Sequence, residues 1–139
     1  MEKPPVATVV MAWITELRVD DTDLFHSERI DEPYARELAS AGLTSAFVSL
    51  LSDVAELHDG LTLVKRSHER CLRGIDALLD AGVRVTLNPV FAGSTQDRAA
   101  AYVAFVAERL PRVGSISLYA VQPHGRAAER PELLPDYGV

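Results

Sequence analysis

The chain has one cysteine, no basic run and no long hydrophobic stretch. A single thiol, Cys71, excludes an intramolecular disulfide and any zinc or iron–sulfur site built from several thiolates of one chain. Fourteen Lys and Arg against twenty Asp and Glu give a net charge of −6, so the positive footprint of a nucleic-acid or anionic-lipid binder is missing. The longest apolar run, residues 6–14, is interrupted by Thr8 and falls far short of the roughly 20 residues a membrane span needs. The opening Met-Glu-Lys-Pro-Pro lacks the basic, apolar, small-residue order of a secretory leader. These absences predict a cytoplasmic protein with neither nucleic acid nor membrane as a partner.

What is present suits one globular domain. With 47% hydrophobic and 24% charged residues over 139 positions, such a chain buries about two thirds of its unfolded surface. Residues 6–14, rich in β-branched side chains, read as a strand buried on both faces. The acidic stretch 15–30 reads as a loop. Asp31-Glu32-Pro33 predicts a helix start: a capping acid, a proline in the first turn, and negative charge at the positive helix end. Gly42 supplies a left-handed stop. Residues 43–51 form a second strand, and the stretch 52–66 carries a helical turn around 53–57. Ser67 caps a helix whose apolar stripe is Cys71, Ile75, Leu78 and Leu79, closed by Gly82. Residues 83–90 are a third strand. Ser94 or Thr95 caps a helix carrying Tyr102, Phe105, Val106 and Leu110, and Pro111 ends it. Residues 115–121 are a fourth strand.

The order β-α-β-α-β-α-β predicts an α/β fold with a parallel sheet and right-handed crossovers. A weak repeat, helix end–glycine–strand, recurs at a spacing of 40 residues from Gly42 to Gly82. We therefore expect half of a TIM-type barrel over residues 1–126, with 127–139 as a C-terminal tail. A small flat doubly wound sheet is the alternative. In either architecture ligands gather where strand carboxyl ends meet the next loops. Ser49, Ser52, Asp53, Asn88, Gln122, His124 and Arg126 stand there, and the planar fork of Arg126 suits a carboxylate. Asn88 before Pro89 also reads as a simple turn residue. His58-Asp59 offers an acid–base pair, although adjacent side chains point different ways and the pair also reads as a loop feature. No two of His26, His58, His68 and His124 have ligand-pair spacing, so no metal is expected. No G-x-S-x-G elbow supports a serine triad.

Three further segments share an order and spacing. The first is Gly42-Leu-Thr-Ser-Ala-Phe-Val-Ser-Leu-Leu-Ser-Asp-Val-Ala-Glu-Leu-His-Asp59. The second is Ser67-His-Glu-Arg-Cys-Leu-Arg-Gly-Ile-Asp-Ala-Leu-Leu-Asp-Ala-Gly-Val-Arg-Val-Thr-Leu-Asn-Pro-Val90. The third is Ser115-Ile-Ser-Leu-Tyr-Ala-Val-Gln-Pro-His-Gly-Arg126. Together they resemble the second half of a radical S-adenosylmethionine enzyme. The matching features are a strand ending in Ser-x-Asp with a His-Asp loop, a "Gly-Ile-x-x-Leu…Ala-Gly-Val" helix and its strand, and a strand ending in a Pro-x-Gly loop. The family holds a [4Fe–4S] cluster through C-x3-C-x2-C, where this chain offers only Cys71, placed on an apolar helix stripe. The family's glycine-rich stretch is absent, and Leu51 stands in place of the acid in Ser49-Leu50-Leu51.

The resemblance implies a truncated, cluster-less pseudoenzyme without a cofactor, acting as a partner or ligand-binding module in a biosynthetic pathway. The other reading is a small cofactor-independent enzyme that reuses the strand-end pocket for acid–base chemistry. The strands at 6–14 and 115–121 have no interior proline or charge to protect a sheet edge. With an inner face expected to show Val, Phe, Leu and Ile, they predict a homodimer or a barrel-completing partner protein, and a small-molecule or peptide ligand.

Overall fold

In a computed structural model of the protein, residues 30–123 and 125–136 are described; the strand expected at 6–14 and nearly all of the loop at 15–30 lie outside them. The first described helix begins as its charges dictate. The Asp31 carboxylate accepts from the Tyr34 backbone N–H at 2.9 Å, with Pro33 and Glu32 in the first turn of α1 (Glu32–Ser40). Gly42 follows at φ 107°, a backbone that side-chain-bearing residues avoid.

The chain continues through β1 (Ser45–Val48), α2 (Ala55–Thr62), α3 (Ser67–Asp80), β2 (Arg84–Leu87) and β3 (Val90–Phe91). A 3-10 turn (Gln96–Arg98) leads into α4 (Ala99–Arg109), then β4 (Ser115–Ile116) and β5 (Tyr119–Ala120). Two 3-10 turns, Gly125–Glu129 and Pro131–Leu133, complete the described chain. The fold is mixed α/β with parallel sheets, one ordered β1-β2-β4 and a smaller one pairing β3 with β5. No helix among the described residues is long and apolar enough to cross a membrane.

Two strands expected as continuous runs are each divided, and proline explains why. Thr86 pairs with Ser115 and Val90 with Tyr119, the same offset of 29 residues, so the two sheets are one interrupted ladder. The break falls at Asn88-Pro89, where Pro89 has no N–H to give its neighbour. On either side the ladder resumes, with Ser117 N–H donating to the Leu87 carbonyl at 2.8 Å and Tyr119 N–H to the Pro89 carbonyl at 3.2 Å.

Alternation along the strands decides what is buried. Ala46, Val48, Leu50, Val85, Leu87 and Phe91 form one core cluster with Cys71, Ile75 and Leu78 of α3 and Tyr102 and Val106 of α4. Both helices therefore cover the same sheet face. The other parity holds Ser45, Phe47, Arg84, Thr86, Asn88, Val90, Ser115 and Tyr119, all exposed or half-buried. Phe47 is 48% and Tyr119 59% exposed, and Thr86 Oγ1 lies 2.8 Å from Ser115 Oγ on this side. The expected apolar inner face is thus corrected to a largely polar one. These strands are half-buried, and serine, threonine and asparagine fall on the outward parity.

The tail folds back on the strand ends. Gly93 N–H donates to the Leu133 carbonyl at 3.0 Å, and Asp136 N–H to Gln96 Oε1. A Cβ at Gly93 would meet Glu132 O at 2.6 Å, a backbone atom that cannot step aside alone. Gly93→Ala is expected to cost about 1–3 kcal/mol, the usual range for overpacking, and to dislodge residues 131–136. Urea denaturation and the rate of proteolysis in the tail measure both effects; unchanged tail cleavage would show that the close approach is dispensable.

Candidate functional site

Past Val48 the chain leaves the sheet, and residues 49–53 cross the carboxyl end of β1 without ladder partners of their own. Side chains from three helices take over. Cys71 Sγ on α3 approaches the Ser49 carbonyl at 3.9 Å, and Tyr102 Oη on α4 donates to the Leu50 carbonyl at 2.7 Å. The Leu51 N–H donates to His58 Nδ1 on α2 at 3.0 Å, and His68 Nε2 on α3 lies 3.1 Å from the Ser52 carbonyl. Ser52 Oγ accepts from Val54 N–H at 3.1 Å, opening the turn into α2. Asp53 closes the run with a forked pair to Arg98, Nε–Oδ1 2.8 Å and Nη2–Oδ2 2.5 Å.

His58 and Asp59, adjacent in sequence, serve different partners. The His58 ring is 2% exposed and turned to Leu51. The Asp59 carboxylate instead caps the next helix. Its Oδ1 accepts from Ser67 Oγ at 3.0 Å and His68 N–H at 2.8 Å, and its Oδ2 from Arg66 N–H at 2.7 Å. Ser67, expected as the cap of α3, lies within the first turn, and the cap position belongs to Arg66 at φ 61°. A charged acceptor reaching over from α2 takes up three donors where a serine hydroxyl takes one.

Ser49 and Asn88 are brought together. The β1–β2 register ends at Val48 opposite Leu87, and the Asn88 N–H donates to the Val48 carbonyl at 2.9 Å, which sets Ser49 beside Asn88. Asn88 Oδ1 is buried with no hydrogen-bond partner among the described residues. Gln122 is exposed two residues past β5, and its Nε2 donates to the Ala120 carbonyl at 3.4 Å. His124 lies outside the described residues, and Arg126 belongs to the 3-10 turn Gly125–Glu129. Among the described residues no group of three or more His, Cys, Asp or Glu is placed to hold a metal ion. Sequence reasoning weighed His68 only as a metal ligand and placed Asp53 at the strand end without its partner Arg98, and it passed over the Tyr102 hydroxyl. A polar tip at Tyr102 on an otherwise apolar stripe was the available signal for one of them.

The electrostatics follow from these bonds. The Arg98 guanidinium lowers the Asp53 carboxyl against the opposing effect of burial. Burial alone would raise Asp59, but hydrogen bonds from His68 N–H, Ser67 Oγ and Arg66 N–H outweigh it and bring the carboxyl below its ordinary value. Burial depresses His68, overcoming the Ser52 carbonyl and the nearby acids Asp59, Asp53 and Glu56. Burial likewise raises Tyr102, with Cys71 and Asp53 adding to the shift, so the phenol stays protonated.

A histidine held low when folded stabilises fully above its ordinary 6.5 and loses that contribution as pH falls below it. The two carboxylates stabilise fully above 3.8 and lose theirs as pH falls through their lowered values. Urea midpoints are therefore expected to decline in two successive stages on acidification. A midpoint constant down to about pH 4 would contradict the His68 assignment. No protein-family model, curated protein or solved structure matches the chain.

Proposed function

We propose that the chain is a cluster-less relative of radical S-adenosylmethionine enzymes, a partial β/α barrel that serves as a ligand-binding or partner module in a biosynthetic pathway. The observation that carries this reading is the sheet order β1-β2-β4, stepping in one direction, with α3 and α4 in one core on one face. Right-handed crossovers that all step the same way curl a sheet with its helices outside. A doubly wound sheet reverses direction and clothes both faces, and no reversal occurs among the described residues. The uncovered parity then corresponds to the inside of the arc. Ser49 and Asn88 lie there at the strand ends, and Gln122, His124 and Arg126 follow the last strand in sequence.

The absence of radical chemistry rests on the residues. One cysteine cannot supply three cluster ligands, and Cys71 is a buried part of the core packed from α3. The acid–base alternative gains no separate support, because His58 and Asp59 each bond to the backbone of a different segment. Anaerobic reconstitution with iron and sulfide is expected to leave the protein without a visible charge-transfer band and without stoichiometric iron. A stoichiometric cluster on a monomer would overturn the reading.

An arc of this kind leaves two sheet edges and one open face, which a second copy or a partner can close. We expect light scattering at micromolar concentration to give a homodimer, with an interface above about 1,000 Å². A stable monomer would exclude barrel completion by a second copy.

A further inference from the structure

In a parallel α/β sheet each crossover helix covers the flank of its neighbour, and the last helix has no neighbour on its outer side. Here that helix is α4. Beside it lie β4 and β5, each paired on one side only among the described residues. An open groove of about 410 Å³ runs between α4 and β4, and no residue of the two tail turns lines it. Val103, 45% exposed, and Leu118, 53% exposed, stand on its helix and strand walls. Ala107, Gly114 and Ser115 also line it, with side chains too small to fill the space between.

The backbone at this edge is open as well. Ser117, Tyr119 and Val121 donate their N–H groups inward, to the Leu87, Pro89 and Phe91 carbonyls. Peptide units of an extended chain alternate in direction, so Ile116 and Leu118 turn their N–H and carbonyl groups outward. The Ala120 carbonyl, next in that series, accepts from Gln122 Nε2. The stretch Gly114-Ser-Ile-Ser-Leu118 has neither proline nor charge, the usual protection of an edge against pairing.

We propose that a second copy of the chain seats on this groove, its own α4–β4 flank meeting the same flank about a twofold axis. The chain carries a net charge of −6, so two copies repel except where they meet through uncharged surface. No residue lining this groove is charged. The groove between α1 and α3, by contrast, holds the acids Asp31, Glu32, Asp76 and Asp80 beside one arginine. A twofold contact also demands a patch complementary to itself. This patch holds both parts, large apolar tips in Val103 and Leu118 and a floor of small residues. Edge strands related by the twofold run antiparallel and can exchange the outward groups of Ile116 and Leu118. The contact is the surface of the homodimer expected above and rests on that expectation. It closes one of the two sheet edges and leaves the outward face, with Ser49 and Asn88, open to a ligand.

Light scattering over a dilution series from micromolar concentration tests the contact with two exposed variants. Leu118→Arg sets like charges across the twofold and is expected to raise the dimer Kd by at least about thirtyfold, the effect of losing one dominant contact residue. Phe47→Arg, similarly exposed but on the outward face, is expected to leave the dimer intact. A native dimer that survives Leu118→Arg, or that Phe47→Arg breaks, overturns this surface and leaves the homodimer standing. A native protein that stays monomeric overturns both. Where circular dichroism shows that Leu118→Arg does not fold, Val103→Arg on the opposite wall carries the same test.

Discussion

A strand that runs past its partner must find hydrogen bonds for its backbone elsewhere or stay in water. Here the demand falls on residues 50–52, and helix side chains meet it: Tyr102 at the Leu50 carbonyl, His58 at the Leu51 N–H and His68 at the Ser52 carbonyl, while Arg98 ties the Asp53 side chain. Each bond also fixes a helix, because a side chain tied to this segment cannot rotate or slide with its helix. The orientations of α2, α3 and α4 over the sheet are thus referred to one short stretch of backbone. Packing in the core and polar satisfaction at its end act on the same side chains, notably Tyr102, whose ring also meets Phe91 at a centroid distance of 6.0 Å.

The sheet separates two tasks by parity. Residues 46, 48, 85 and 87 pack under the helices, while 45, 47, 84 and 86 face outward. The outward set is polar enough to remain soluble and still holds the aromatic surface of Phe47 and Tyr119. It also places the hydroxyl of Ser49 and the amide of Asn88 at the end where parallel α/β folds collect their ligands.

Features set by local chemistry were legible in the sequence. Asp31, Pro33 and Gly42 announce α1, the stripe through Cys71, Ile75 and Leu78 announces the buried side of α3, and Gly82 ends it at φ 84°. Features set by distant partners were not. Nothing local tells that Asp59 caps a helix starting at Ser67, because serine is a good cap by itself and the acid must be delivered by the turn between α2 and α3. The division of the strands at Pro89 was readable from a missing donor, but the strand-like residues on either side of Asn88-Pro89 concealed it. Ser49 and Asn88 could be placed at strand ends from the pattern alone. Their adjacency needed the register of β1 on β2.

The bonds of Asp59 differ from the others in the chain entropy they cost. They span only seven to nine residues, from Asp59 to Arg66, Ser67 and His68, so they close small loops and ask little of the rest of the molecule. The bonds from Tyr102 to Leu50 and from Arg98 to Asp53 span 52 and 45 residues and require α4 to have docked. The corner between α2 and α3 is therefore held by contacts that cost little loop-closure entropy, whereas the Leu50 carbonyl and the Asp53 carboxylate find their partners only across long loops.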